Sequence, residues 1–287
     1  MKDFKIIGKT LVEYEGKGGD VTIPDGVEII GGAAFYDCKN LTSVTIPDSV
    51  TGIGDYAFAH CPGIASVIIP NSVKHIGCGA FTYCSGLTSV TIPNSVMSIG
   101  DRSFYSCSKL NSVTIENGVT DIGACAFADC SNLTSITIPN SVTSIRDMTF
   151  YGCKKLASIT IPNSVTIIGG GTFWGCTGLI SETANYKAFH LTEKGELMCR
   201  DKIYTVGKES TAEGELNLCN NGIHYCTNLF DIFNYYCGEY DRTLVIGICE
   251  VSDENIGDED DSKRCARWVK PTKILSRKEV INLLNNK

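Results

Sequence analysis

A period of 23 residues runs through the first 180 positions of the chain. The dipeptide Ile-Pro begins at positions 23, 46, 69, 92, 138 and 161, and position 115 begins Ile-Glu instead. One phenylalanine and one cysteine recur with the same spacing. They are Phe35, Phe58, Phe81, Phe104, Phe127, Phe150 and Phe173, and Cys38, Cys61, Cys84, Cys107, Cys130, Cys153 and Cys176. A fixed period of this length is typical of a solenoid, so the sequence predicts seven stacked coils.

Each repeat opens with the pattern of a short strand. Residues 41–63, for example, read "LTSVTIPDSVTGIGDYAFAHCPG". Because successive side chains of a strand alternate, Val44 and Ile46 point to one face, and Ser43 and Thr45 point to the other. The proline that follows ends the strand, since it has no N–H to give to a neighbouring strand. The sequence therefore predicts a parallel sheet with one strand from each coil.

A glycine follows the strand in most repeats, at Gly54, Gly77, Gly100, Gly123 and Gly169. Two explanations are open: a turn that needs positive φ, or close packing against the neighbouring coil. Arg146 stands at the same position in one repeat, which leaves the positive-φ explanation unproven.

Residues 8–180 resemble the BspA-like leucine-rich repeat family, whose phrase "SIxxxAFxxCxxLxxIxIPxxV" they follow. The lead-in "LVEYEGKGGDVTIPDGV" is similar to the capping first repeat of that family. The resemblance implies a right-handed solenoid that serves as a binding scaffold, in many members at the cell surface, with no catalytic residues. We therefore expect a leucine-rich-repeat solenoid over residues 1–182, with an N-terminal cap in 1–20, and a small α+β domain over 183–287.

Composition narrows the functional classes. A formal net charge of −7 and a pI near 5.2 argue against a nucleic-acid-binding protein, because such proteins offset phosphate charge with lysine and arginine. No stretch approaches 18 apolar residues, so we expect no membrane span. The first residues, "MKDFKIIGKTLVEYEG", lack the apolar core of a secretory signal, which favours the cytoplasm. Removal of a signal would instead allow a secreted or cell-surface protein.

The periodic cysteines have two interpretations. Coils stacked about 4.8 Å apart would bring neighbouring cysteines within disulfide range. A ladder of seven cannot pair completely, however, and buried cysteine behaves as a small hydrophobic residue. The expected reducing compartment favours buried free thiols.

Two surfaces of the predicted solenoid differ in composition. The outer face of the sheet would be an uncharged ladder of serine and threonine, which suits solubility or, less simply, a repetitive surface such as ice. Recognition sites are usually richer in aromatic residues and arginine. Aromatic side chains instead follow the periodic phenylalanine, at Tyr36, Tyr83, Tyr105, Tyr151 and Trp174. These rings either cover the rim of the core or form a discontinuous strip that binds a protein partner of unknown identity.

The 23-residue period stops after residue 180, and the pattern of residues that follows predicts a small α+β domain. Strands are predicted in "YKAFHLT", "ELMCR", "KIYTVG", "ELNLC", "IHYC", "TLVIGICEV" and "RCARWVKPTKIL", and helices in "TNLFDIFNYY" and from Ser276, where "SRKE" is a capping box. This half resembles an uncharacterised domain at the C-termini of phage and bacterial repeat proteins. The resemblance spans about 190–275 and lies in "MCRDKIYTVGK", "CNNGIHYCTNLFDIFNYY" and "DSKRCA".

Three chemical hypotheses concern this second half. Cys219, His224, Cys226 and Cys237 are candidate zinc ligands, although their spacing fits no standard zinc motif. In the segment "DENIGDEDD" Gly257 is at position 5 of an EF-hand loop instead of position 6, and Arg264 replaces the glutamate at position 12, so a solvated acidic loop is the better interpretation. The order Arg200, His224, Tyr236 and Glu250 is loosely similar to ADP-ribosyltransferase folds, in which a late glutamate assists transfer.

The sequence thus favours a non-catalytic binding scaffold that needs no cofactor. The alternative is an ADP-ribosyltransferase-like effector domain in residues 184–287, positioned by the repeats.

Overall fold

The computed structural model describes residues 3–179 without interruption. In the rest of the chain it describes residues 186–191, 197–199, 202–204, 210–211, 223–226, 244–251, 255–256, 263–266 and 268–285. The chain divides into two units, Met1–Leu179 and Ile180–Lys287.

The first unit is a solenoid, and the predicted strand of each repeat forms a parallel sheet. Equivalent residues of neighbouring coils lie side by side, as Ser89 does with Ser112 and Val90 with Val113. The valines are buried and the serines are exposed, as the alternation predicts. The seven strands, in the same order in space as in the chain, are Gly19–Thr22, Leu41–Thr45, Ser66–Ile68, Ser89–Ile92, Ser112–Ile115, Ser135–Thr137 and Ser158–Thr160.

A second sheet, which the sequence did not reveal, runs along another side of the coils. It begins with an antiparallel hairpin and continues with parallel strands of two residues each. The hairpin belongs to the lead-in, and its Tyr14 ring stacks on Phe35 with the ring centroids 4.9 Å apart. The strands of this sheet are Phe4–Ile7, Thr10–Tyr14, Ile29–Ile30, Gly52–Ile53, His75–Ile76, Ser98–Ile99, Asp121–Ile122, Ser144–Ile145 and Ile167–Ile168.

The turn around each periodic phenylalanine is linked to the next coil by alternate backbone amides. Phe35 N–H donates to the Ala57 carbonyl at 2.7 Å, whereas Tyr36 N–H donates to Ala33 within its own coil at 2.9 Å. This alternation places the residues two before and two after each phenylalanine in the left-handed region. Ten of these residues are not glycine: Ala33, Asp37, Tyr56, His60, Tyr83, Arg102, Ser106, Cys125, Asp129 and Met148.

The periodic phenylalanines and cysteines form two ladders inside the solenoid. The phenylalanine rings are buried and nearly parallel, with centroids from 4.9 Å apart at Phe35 and Phe58 to 6.3 Å at Phe150 and Phe173. From the second coil onward, each cysteine thiol donates to the carbonyl of the phenylalanine 26 residues earlier, as Cys84 does to Phe58 at 3.0 Å. The cysteines of this ladder from Cys38 to Cys153 are free thiols, as the sequence favoured.

The periodic glycines are explained by close packing and not by positive φ. None of the five is in the left-handed region. A Cβ on Gly100 would lie 2.6 Å from the backbone nitrogen of Cys78 and the backbone carbon of Gly77 in the preceding coil, closer than real Cβ atoms come.

The described strands of the second unit form one antiparallel sheet, and a helix, Arg277–Asn285, follows them. Ser276 N–H donates to the Glu279 carboxylate at 2.7 Å and Glu279 N–H to the Ser276 hydroxyl at 3.3 Å, which confirms the predicted capping box. The predicted strand "ELNLC" and helix "TNLFDIFNYY" lie outside the described residues. The strands are Tyr186–Leu191, Leu197–Cys199, Lys202–Tyr204, Ser210–Thr211, Ile223–Cys226, Leu244–Val251, Asn255–Ile256, Lys263–Ala266 and Trp268–Leu275.

Candidate interaction surface

One outward side chain from each coil forms a row beside the phenylalanine ladder. We call this row the aromatic strip. Both of its ends are well exposed, at 52% for Tyr36 and 50% for Trp174. In coil order its members are Tyr36, His60, Tyr83, Tyr105, Asp129, Tyr151 and Trp174.

Every coil contributes to the strip because its members come from two neighbouring sequence positions. The residue directly after the phenylalanine is outward when it is aromatic, but Ala59, Thr82 and Ala128 at this position are buried. In those coils the next residue, in the left-handed region, supplies the outward side chain. His60 and Tyr83 therefore fill what looks in the sequence like a gap.

Four rings of the strip are in direct contact. Tyr36 and His60 have centroids 5.3 Å apart at an interplanar angle of 59°. His60 and Tyr83 stack at 4.6 Å and 24°, and Tyr83 meets Tyr105 edge to face at 5.5 Å and 84°. The structure thus joins Tyr36 to Tyr83 through His60, which sequence reasoning missed, and Tyr105 contacts Tyr83 directly. The sequence did contain an indication of this role, because His60 occupies the same repeat position as Tyr83, two residues after the periodic phenylalanine.

The fifth coil contributes a carboxylate in place of a ring. Burial, and secondarily the charge of Asp129, raise the pKa of Tyr105. The Asp129 carboxylate lies over Gly152, since a Cβ there would come within 2.2 Å of its Oδ1. Tyr151 and Trp174 follow in the last two coils, so the strip consists of a four-ring cluster, an acidic position and two further aromatic residues.

The outer face of the parallel sheet is the polar ladder that the sequence predicts. Its side chains are exposed, and equivalent serines and threonines lie in register across the coils. Ile68 is the exception and is 82% exposed. Near the first strand the Asp20 carboxylate accepts hydrogen bonds from Thr42 at 2.8 Å and Ser43 at 2.6 Å. The face has no aromatic or arginine side chain, so it lacks the residue types that usually dominate recognition.

Only part of the ADP-ribosyltransferase-like set lies in described segments. Arg200 and Tyr236 lie outside them, and His224 and Glu250 are described by their backbone alone. Tyr186 pairs with Cys226 in one neighbouring strand and with Ile248 in the other. Both neighbouring strands are antiparallel to the strand that contains Tyr186. His224 and Glu250 therefore lie on opposite sides of Tyr186 along the strand direction, about 13 Å apart. The enzymatic alternative stays a prediction.

The zinc hypothesis also stays a prediction. Cys219 and Cys237 lie outside the described residues, and the side chains of His224 and Cys226 are not described. Among the described residues, no group of three or more histidine, cysteine or acidic side chains could hold a metal ion.

Parallel stacked coils with a buried ladder and a leucine, valine and isoleucine core define the first unit as a leucine-rich-repeat solenoid. The family model "BspA type Leucine rich repeat region" matches residues 5–134 and 97–194. The chain therefore belongs to the BspA-type leucine-rich repeat family. A second model, "Domain of unknown function (DUF7666)", matches residues 184–283, in agreement with the predicted C-terminal domain. No curated protein matches the chain.

Solved structures of bacterial leucine-rich repeat proteins are similar to the first unit. The T. pallidum leucine-rich repeat protein is 34% identical with a TM-score of 0.59, over 62% of this chain and 88% of that chain. A leucine-rich repeat protein from Eubacterium ventriosum is 31% identical with a TM-score of 0.55, over 58% of this chain and 46% of that one. A leucine-rich cell surface protein from Faecalibacterium prausnitzii also matches, at 28% identity, over 60% and 70% of the two chains, with a TM-score of 0.35.

Within the described part of the chain, no helix is long and apolar enough to cross a membrane.

Proposed function

We propose that the chain is a non-catalytic scaffold whose aromatic strip binds a protein partner. The observation that carries this proposal is the cluster of contacting, outward rings in the first four coils. Each coil supplies one outward side chain, and four successive rings are in contact. A row that only covered the core would need no exposed rings, yet Tyr36, Tyr83 and Trp174 are each at least 44% exposed.

The chemistry of the strip suits a protein surface. Tyrosine and tryptophan supply large contact areas with few rotatable bonds and a polar group at the edge, and both are enriched at binding hot spots. With seven coils about 4.8 Å apart, the strip is roughly 29 Å long, comparable with one side of a standard interface. Asp129 and the net charge of −7 favour a partner surface that is neutral or basic.

The test compares two triple variants of the full chain. Replacing Tyr36, Tyr83 and Tyr105 with alanine removes three rings of the contacting cluster. The control replaces Ser89, Thr91 and Thr114 with alanine on the outer face of the sheet. We expect proteins retained by the immobilised wild-type chain to be lost from the strip variant, by tenfold or more, and kept by the control.

Thermal unfolding of both triple variants verifies that the solenoid remains folded. Since Tyr105 is half-buried, the single variant Tyr83→Ala is measured as well. Equal retention by the strip variant and the wild type, with both folded, would overturn the proposal.

A further inference from the structure

The fifth coil interrupts the aromatic strip with a carboxylate. Asp129 lies two residues after the periodic phenylalanine, and its neighbour Ala128 is small and buried, so no ring projects from this coil. The coils on either side contribute Tyr105 and Tyr151. Asp129 is therefore flanked by one tyrosine in each adjacent coil.

Both flanking residues lie close to Asp129. Asp129 N–H donates to the Tyr151 carbonyl at 2.6 Å, and the carboxylate lies over Gly152, which has no side chain to displace it. On the other side the pKa of Tyr105 is raised, first by burial and then by the negative charge of Asp129. The carboxylate thus has aromatic neighbours on both sides along the solenoid.

The spacing of these coils suits a cation between the two tyrosines. The buried rings of the same three coils, Phe104, Phe127 and Phe150, have centroids 5.4 and 5.9 Å apart in succession. A cation over the fifth coil would accordingly lie about 5–6 Å from equivalent points of its two neighbours, and rings attract cations within about 6 Å of their centroids. The two tyrosines can therefore add to the attraction of the carboxylate.

The first coil shows which cation this repeat position accommodates. Asp37 is the equivalent of Asp129, and Lys39, two residues later, pairs with it at 3.5 Å. The equivalent of Lys39 in the fifth coil is Ser131. Among the described residues, the ion pairs do not include Asp129. The fifth coil thus keeps the carboxylate of this pair and lacks its ammonium group.

We propose that Asp129, between Tyr105 and Tyr151, binds a lysine side chain of the protein partner. The inference rests on the proposed function of the aromatic strip. The carboxylate accepts a hydrogen bond from the ammonium group, and the tyrosines contact both its charge and the alkyl chain that carries it. A ligand of the same shape without the charge loses the first two of these interactions.

The test titrates the full chain, labelled with carbon-13 in its tyrosine rings, with Nα-acetyl-lysine N-methylamide, whose only charge is the ammonium group. We expect saturable NMR shifts of Tyr105 and Tyr151, assigned by their phenylalanine variants. An analogue with an acetylated side-chain amine should bind about tenfold more weakly, because it carries no charge. Equal binding of the two probes, or no shift of either tyrosine, would overturn the proposal.

Variants of matched charge locate the site. Asp129→Asn removes the charge with a residue that tolerates left-handed backbone, and should weaken binding of the lysine probe about threefold to fivefold. Ser131→Lys supplies the lysine of the first coil and should weaken it at least as much. Asp37→Asn removes the same charge where it is already paired, and should leave the affinity unchanged. Unchanged affinity in Asp129→Asn, or an equal loss in Asp37→Asn, would contradict the site.

The same variants separate this inference from the proposed function. Retention of partners by the immobilised chain should fall in Asp129→Asn and persist in Asp37→Asn, with thermal unfolding as the check on folding. If the triple strip variant loses its partners and Asp129→Asn keeps them, the lysine site is wrong and the proposed function stands. Retention by the strip variant would instead overturn the proposed function, and the titration would still show whether Asp129 binds an ammonium group.

Discussion

Left-handed backbone at non-glycine residues is the least expected feature of this chain at the residue scale. Such a residue costs roughly 1–2 kcal/mol, because its Cβ crowds the following carbonyl. Ten non-glycine residues of the solenoid adopt this conformation. Each lies in a turn whose alternate amides bond to the next coil, as His60 N–H does to the Thr82 carbonyl at 2.8 Å. The inter-coil bonds therefore offset local strain, and the same backbone turns His60 and Tyr83 outward.

The first prediction concerns Met148, whose φ is 54°. Met148→Gly relieves strain of roughly 1–2 kcal/mol, but it also raises the backbone entropy of the unfolded chain, which costs about 0.5–1 kcal/mol. We therefore expect the free energy of unfolding to rise by about 0.5–1 kcal/mol. Met97 is equally exposed but not left-handed, so Met97→Gly should lower it by about 1 kcal/mol. Urea denaturation measures both. A similar loss of stability in the two variants would contradict the strain argument.

The sequence indicated the glycine column but not its cause, and it did not indicate the left-handed residues. Gly100 and Gly123 are needed because a Cβ would strike the preceding coil, a contact that exists only after stacking. The left-handed positions carry residues as different as Ala33, Tyr56 and Arg102, so no residue type marks them. His60 was missed from the strip for this reason: its direction depends on a backbone conformation that its identity does not specify.

At the scale of elements, the ladders bind each coil to its neighbours. The phenylalanine stack supplies apolar contact along the whole solenoid, and the thiols satisfy the carbonyls beside it. The predicted strand was recognisable because it alternates over several residues. The second sheet was not, because strands as short as Ile29–Ile30 and Ser98–Ile99 have too few residues to show a period.

The buried thiols lead to a second prediction, which concerns how the free energy of unfolding depends on pH. Burial raises the pKa of Cys84 from 9.0 to about 12. Below pH 9 this thiol is neutral in both states and its contribution to stability is fully present. Above pH 9 the unfolded chain releases the proton while the folded chain keeps it, so the contribution is lost by up to about 1.4 kcal/mol per pH unit.

The free energy of unfolding, measured in urea under reducing conditions, should therefore fall less steeply between pH 9 and pH 10 in Cys84→Ala than in the wild type. Cys78→Ala, at an exposed cysteine, should retain the wild-type slope. Identical slopes in the two variants would show that the buried thiol does not resist ionisation.

At the scale of the whole molecule, the repeated surface and the proposed binding surface are different. The repeated strand phrase builds the core and a uniform polar face, whereas the aromatic strip uses the positions at which the repeats differ. Five members of the strip were predicted from the sequence, because large aromatic residues one or two positions after the periodic phenylalanine are visible there. Their contact through His60 was not, since it depends on the register of adjacent coils.

The central claim is that partners meet the strip and not the sheet face, and site-specific photo-cross-linking tests it most directly. A photoreactive phenylalanine analogue is placed at Tyr83 on the strip or at Thr91, eight residues later, on the sheet face of the full chain. We predict a covalent adduct with a protein partner from position 83, lost in the presence of excess unlabelled chain, and none from position 91. An adduct from position 91 alone would contradict the account.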